Sequence, residues 1–238
     1  MTLGEEVYPD APALAAAIAE RLTGRIALLQ AEGRRPSVVL TGGTIAIDAY
    51  QLIESELVDW TQVDFYWGDE RFVPEGHADR NDQQARDAFL DRLGVPASSI
   101  HSMPAHGCDL STAEAADQYA AALPAEPFDV TLLGVGPDGH VASLFPGFAQ
   151  LHESKRLAVE VFDSPKPPPV RITLTFPALN NSDAVWFIVA GEGKAEAVAR
   201  ALGDGTLDDT PARGAHGRTE TAWLLDEAAA SQLSSADE

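Results

Sequence analysis

The chain has 238 residues, 45% hydrophobic and 22% charged, the usage of a folded globular protein rather than a disordered one. Sixteen basic residues against 37 acidic ones give a net charge of −21, a field that repels nucleic acid and anionic membranes. The single cysteine, Cys108, excludes an intrachain disulfide and a multi-cysteine metal site, and no apolar run approaches the roughly 20 residues of a membrane-spanning helix.

The first ten residues are acidic where a secretory leader is basic, so a cytoplasmic protein is expected. Asp10 is placed to cap a helix with Pro12 in its first turn; Leu14, Ile18, Leu22, Ile26 and Leu29 share one face, and Gly33 ends it. Ser37 to Leu40 reads as a short buried strand running into Thr41-Gly42-Gly43-Thr44. A helix follows, with Ile45, Ala49, Leu52, Ile53 and Leu57 on one face. Val63 to Trp67 is a second strand, ending in Gly68-Asp69-Glu70-Arg71, and a helix is predicted from about Asp79 to Leu93. Ser111 and Glu114 form a capping box that opens another helix. Phe128 to Val135 is the most apolar strand candidate and runs into Gly136-Pro137-Asp138-Gly139-His140. Ser164 to Pro169 reads as a stiff polyproline connection. Arg171 to Phe176 and Ala184 to Ala190 are further strands, Ala195 to Leu202 a helix, and Asp208 to Glu220 a polar, mobile loop. Ala222 to Leu225 is a last short strand, followed by a short Ala-rich helix and a frayed tail from about residue 231.

Strand–helix alternation of this kind predicts one α/β domain over residues 1–238. Its sheet is doubly wound and mostly parallel, Rossmann-like, with helices on both faces. Ligands bind such sheets beyond the carboxyl ends of the strands, and three polar loops sit there. In the first, Gly42, Gly43 and Thr44 offer backbone N–H groups and a helix start to an anion, or form a plain turn. It lacks the Lys of a Walker loop and the third glycine of a dinucleotide fingerprint. The second carries Asp69 and Arg71, with His77, Asp79 and Asn81 downstream: an ion-pair cluster, or a polar ring for a polyol. In the third, Asp138 stands two residues before His140, the minimal general-base arrangement, in which the carboxylate fixes the imidazole tautomer. Arg171 and Lys194, each at the start of an element, are surface charges or anion ligands. His101, His106, His152 and His216 read as surface or structural residues. No His-Glu-x-x-His pattern supports a metal site.

Taken together, the segments VVLTGGT, VDFYWGDERFVPEGHADRN, FDVTLLGVGPDGHVASLFPG, PPPVRITLTFPALN and VWFIVAGEGKAEAV, in this order over about residues 38–198, carry a resemblance. The sequence resembles the bacterial 6-phosphogluconolactonases, within the wider glucosamine-6-phosphate deaminase and isomerase superfamily. That resemblance implies hydrolysis of a phosphorylated gluconolactone, with no organic cofactor and no obligatory metal. It implies His140 as the base that activates water and Asp138 as its partner. Gly42, Gly43, Thr44, Arg171 and Lys194 would bind the phosphate, and Arg71 with Asp69 would line the lactone end. The expected partner is the small sugar-phosphate lactone, with neither nucleic acid nor membrane, and the protein is a monomer or small homo-oligomer. Two departures stand out: Ile45 and Ala46 replace a hydroxyl and a proline common in the family's first loop, and Arg80 replaces a small polar residue. An isomerising deaminase is the alternative, but it needs a carboxylate soon after the His, where this chain has Leu144-Phe145-Pro146-Gly147. A non-catalytic sugar-phosphate-binding module is the other; it would bring a basic DNA-binding segment that the chain lacks.

Overall fold

The structure is a computed structural model that describes residues 2–54 and 56–233. In chain order it contains β1 (Thr2–Tyr8), α1 (Ala11–Ala31), β2 (Ser37–Leu40), α2 (Thr44–Gln51), β3 (Asp64–Trp67), β4 (Asp69–Arg71) and α3 (Asn81–Ala85). Then come α4 (Thr112–Ala121), β5 (Phe128–Leu133), β6 (Ala158–Val161), β7 (Arg171–Leu174), α5 (Phe176–Leu179), β8 (Ser182–Val189), α6 (Ala195–Leu202), β9 (Glu220–Asp226) and α7 (Glu227–Ala230).

Six strands form a parallel sheet in the order β1-β9-β8-β5-β2-β3. Because successive side chains on a strand face opposite ways, each central strand feeds two cores. Val38, Leu40, Trp186, Ile188 and Leu224 pack with α1 and α2 on one face. Val39, Val185, Phe187, Trp223 and Leu225 pack with α4, α6 and α7 on the other. β4, β7 and β6 make a small antiparallel sheet over the second core.

The helix caps follow the sequence: Asp10 accepts from the Ala13 N–H at 2.8 Å, and Ser111 and Glu114 form the capping box. Other expectations are corrected. β1 was not predicted; it is an edge strand paired only with β9, with Leu3 and Val7 exposed and Glu6 held by Arg21, so it lacks an apolar pattern. α2 stops at Gln51, and Leu52 and Leu57 are exposed instead of joining its buried face. The helix predicted from Asp79 starts at Asn81, because the Glu70 carboxylate accepts the N–H groups of Asn81 and Asp82 at 2.7 and 2.9 Å. It then widens into a π-helical turn over Arg86–Leu90. The Pro-rich segment closes on itself as a turn, with the Ser164 N–H donating to the Pro169 carbonyl at 3.0 Å. The segment expected to be a mobile loop is packed: Thr210, Pro211 and Ala212 are buried, and Ala212 donates to the Gly139 carbonyl at 2.9 Å. Most of the predicted tail, residues 234–238, lies outside the described residues.

Candidate active site

The loops that follow β2, β3, β5 and β8 open on one cleft of about 580 Å³ at the carboxyl edge of the parallel sheet. Gly42, Gly43, Thr44, Asp69, Arg71, His140, Arg171 and Lys194 all line it. Asp138 stands behind His140 rather than in the wall.

After β2 the chain turns through Gly43, whose φ of +100° lies in the region that favours glycine, and enters α2 with no side chain capping the helix start. The first N–H groups of α2 therefore face the cleft as donors for an anion, with the helix dipole in the same sense. Tyr50 on α2 fixes this loop: its hydroxyl accepts from the Thr41 N–H at 3.1 Å and donates to the Thr41 carbonyl at 3.0 Å. Burial pushes the Tyr50 hydroxyl pKa up, which keeps the proton on the tether. Ala46, the second of the two departures noted in this loop, is fully buried in the core under it.

After β5, the chain folds so that Asp138 Oδ1 lies 2.5 Å from His140 Nδ1 and 3.3 Å from the His140 N–H. Gly136 permits this: a Cβ there would stand 2.0 Å from His140 Nδ1. Burial pushes the Asp138 carboxyl up, but the hydrogen bond and charge of His140 outweigh it and hold the group down at about 2. The imidazole is stacked at a tilt on Phe145, ring centroids 4.6 Å apart. Its Nε2 makes no hydrogen bond to the described residues, so the nitrogen not held by Asp138 is the one available to the cleft.

Asp69 and Arg71 belong to β4. Buried Ser143 donates to Asp69 Oδ2 at 2.5 Å, and Asn81 Nδ2 donates to the Asp69 carbonyl at 2.9 Å. Asn81 Oδ1 in turn accepts from Arg71 Nη1 at 2.5 Å, and the same nitrogen reaches the Asp79 carbonyl at 2.8 Å. The Asn81 N–H is held by Glu70, and Arg80, which is 1% exposed, lies 3.9 Å from that same carboxylate. Arg80 grips Asp82 through two nitrogens at 2.8 and 3.2 Å and the Met103 carbonyl at 2.7 Å. Arg80 is thus a buried structural cation, which accounts for its presence at that position.

On the remaining wall, Lys194 Nζ donates to the Val135 carbonyl at 2.8 Å. This places its ammonium beside the loop that carries His140. Burial pushes the Lys194 pKa down, and the nearby charge of Lys166 adds to this. Arg171 is buried; Nε and Nη2 donate to the carbonyls of Pro168 and Lys166 at 3.2 and 2.9 Å, and Nη1 lies 3.7 Å from Asp69. The sequence reading missed Ser143, Lys166 and Asp226, whose two oxygens both accept the Gly191 N–H at 3.0 Å. Ser143 and Lys166 lie inside the quoted motifs or beside them, so proximity to a recognised loop was the available signal. Among the described residues no three His, Cys, Asp or Glu side chains converge as metal ligands.

A family profile described as "Glucosamine-6-phosphate isomerases/6-phosphogluconolactonase" matches residues 9–223. A 6-phosphogluconolactonase of Mycobacterium tuberculosis is 45% identical, over 99% of this chain and 100% of its own. One of Streptomyces coelicolor is 44% identical, over 95% of this chain and 93% of its own. The crystal structure of a 6-phosphogluconolactonase from Thermotoga maritima superposes with a TM-score of 0.84 at 26% identity, over 94% of this chain and 100% of that one.

Proposed function

The chain belongs to the family of glucosamine-6-phosphate isomerases and 6-phosphogluconolactonases, and from that membership we infer that it hydrolyses 6-phospho-D-glucono-1,5-lactone to 6-phospho-D-gluconate in the pentose phosphate pathway, in the cytoplasm. The observation that carries the chemistry is the His140–Asp138 pair, with Nε2 unengaged, in the same cleft as an uncapped helix start.

A lactone is an activated acyl group, so a positioned water and a base suffice. His140 Nε2 takes a proton from water as the oxygen attacks the lactone carbonyl. Asp138, kept ionised, holds Nδ1–H and stabilises the imidazolium that forms. Negative charge then develops on the carbonyl oxygen; Arg71, held at Asn81, is the cation on that wall of the cleft to meet it. As the ring C–O bond breaks, the imidazolium returns its proton to the leaving oxygen, which becomes a hydroxyl, and the new carboxylic acid gives its own proton to solvent to become a carboxylate. The phosphate rests on the N–H groups at the start of α2, with Thr44, Lys194 and the field of Arg171 around it, and its binding aligns the carbonyl for attack. Ser143 and Asn81 keep Asp69 pointed along the same wall, where it accepts from sugar hydroxyls. The deaminase alternative has less to work with, because the residues after His140 present Phe145 to the imidazole instead of a second proton carrier.

The test is acid release, followed at constant pH, from freshly prepared phospholactone. Release well above the spontaneous background is expected, and release equal to that background would overturn the assignment.

A further inference from the structure

One wall of the cleft does nothing in the scheme above: the loop between β6 and β7, where Lys166 and Pro167 reach the lining. Four prolines, at 165, 167, 168 and 169, restrict its backbone and leave few N–H donors. Lys166 is held from several sides. Its N–H donates to Ser164 Oγ at 3.3 Å, and its carbonyl accepts from Ser164 Oγ at 3.0 Å and from Arg171 Nη2 at 2.9 Å. Arg171 Nε takes the Pro168 carbonyl at 3.2 Å. A backbone pinned this way carries an exposed side chain that pairs with no carboxylate among the described residues, in a protein with 37 of them. Lys166 and Lys194 line the same cleft, and after burial the charge of Lys166 is the next cause that pushes the Lys194 pKa down. Two ammonium groups converging on one space repel one another, and the arrangement is costly until an anion lies between them. A phosphate monoester, with a charge of about −1.5 to −2 at neutral pH, matches two cations better than one.

Resting on the lactonase reading, we propose that Lys166 is a second ammonium contact to the substrate phosphate, and that Arg171 is a positioning residue which acts on that phosphate through the loop it pins. Two of the three guanidinium nitrogens of Arg171 are committed to loop carbonyls, and the third faces Asp69. Its positive charge adds to the field, but its hydrogen bonds hold Lys166 in place.

The experiment compares kcat/KM for the phosphorylated lactone and for unphosphorylated glucono-1,5-lactone. The proteins are the wild type, Lys166→Gln, Lys166→Arg, Arg171→Lys and the double variant Lys166→Gln/Arg171→Lys. In Lys166→Gln the ratio of the two kcat/KM values falls about tenfold, through KM, and inhibition by inorganic phosphate weakens in parallel. Lys166→Arg restores most of the ratio. The double variant loses little more than Lys166→Gln alone, since Arg171 has then lost the group it positions. An unchanged ratio in Lys166→Gln, or equal loss on both lactones, overturns the phosphate contact; fully additive losses overturn the positioning role. A wild-type protein with no lactonase activity refutes the underlying assignment instead, and is read from the wild type alone.

Discussion

His140→Ala removes the one imidazole that the described residues place in the cleft wall and leaves the helix start and both lysines in place. The expected result is a fall in kcat of about 10²–10⁴, with binding of 6-phosphogluconate, measured by calorimetry, changed little. Turnover equal to wild type, after subtraction of spontaneous hydrolysis, refutes the base. Asp138→Asn keeps the shape of its partner and removes the charge, so kcat falls again. It also leaves a mark on stability. The Asp138 carboxyl sits at about 2 in the fold against an ordinary value of 3.8. Between these values the unfolded chain binds more protons than the folded one, so stability rises with pH. The contribution is complete above the unfolded value and is lost as the pH falls through about 2. Urea midpoints measured down this range should drop more steeply for the wild type than for Asp138→Asn; parallel curves would show that the pair adds nothing to the fold.

The loop from β2 into α2 is the element where a single methyl group should tell most. A Cβ at Gly42 would stand 2.1 Å from Asn81 Oδ1 and 2.8 Å from its Cγ. Asn81 is buried and cannot swing away without releasing Arg71 and Asp69. Gly42→Ala is therefore expected to cost about 1–3 kcal/mol of stability and to lower kcat together with raising KM. Thermal unfolding and kinetics of the same preparation check both, and a variant of wild-type stability and kinetics would show that Asn81 has room to move. Much at this scale was legible beforehand. The strands of the central sheet from β2 onward, the Asp10 and Ser111 caps and the three strand-end loops follow from apolar runs, capping residues and glycines, all local signals. What was not legible is non-local. Tyr50 ties off the end of β2, and Tyr119 makes the same double hydrogen bond to the Trp67 peptide at 2.8 and 3.1 Å, across 52 positions of sequence. Glu70 moves the start of α3 by taking N–H groups more than ten residues away. β1 escaped because an edge strand needs no apolar face, and the pinning of the Lys166 loop depends on Arg171, a residue whose neighbours only the folded chain reveals.

At the scale of the whole molecule, an anionic substrate must approach a body of charge −21 to reach a local group of cations. The two fields have different ranges. At about 0.01 M salt the Debye length is about 30 Å, so charges over the whole surface oppose the phosphate; at about 0.15 M it is about 8 Å, and only the groups around the cleft still count. Raising salt between these limits should therefore lower KM for the phosphorylated lactone severalfold, because it screens the distant repulsion before it screens Lys194, Lys166 and the α2 dipole. Beyond about 0.5 M the near contacts are screened in turn and KM should climb, so that the profile has a minimum. Unphosphorylated lactone, carrying no charge, serves as the control and should show no such minimum. A KM for the phosphorylated substrate that rises monotonically from the lowest salt would mean that the cleft field dominates at every distance, and that the acid excess lies where the substrate never senses it.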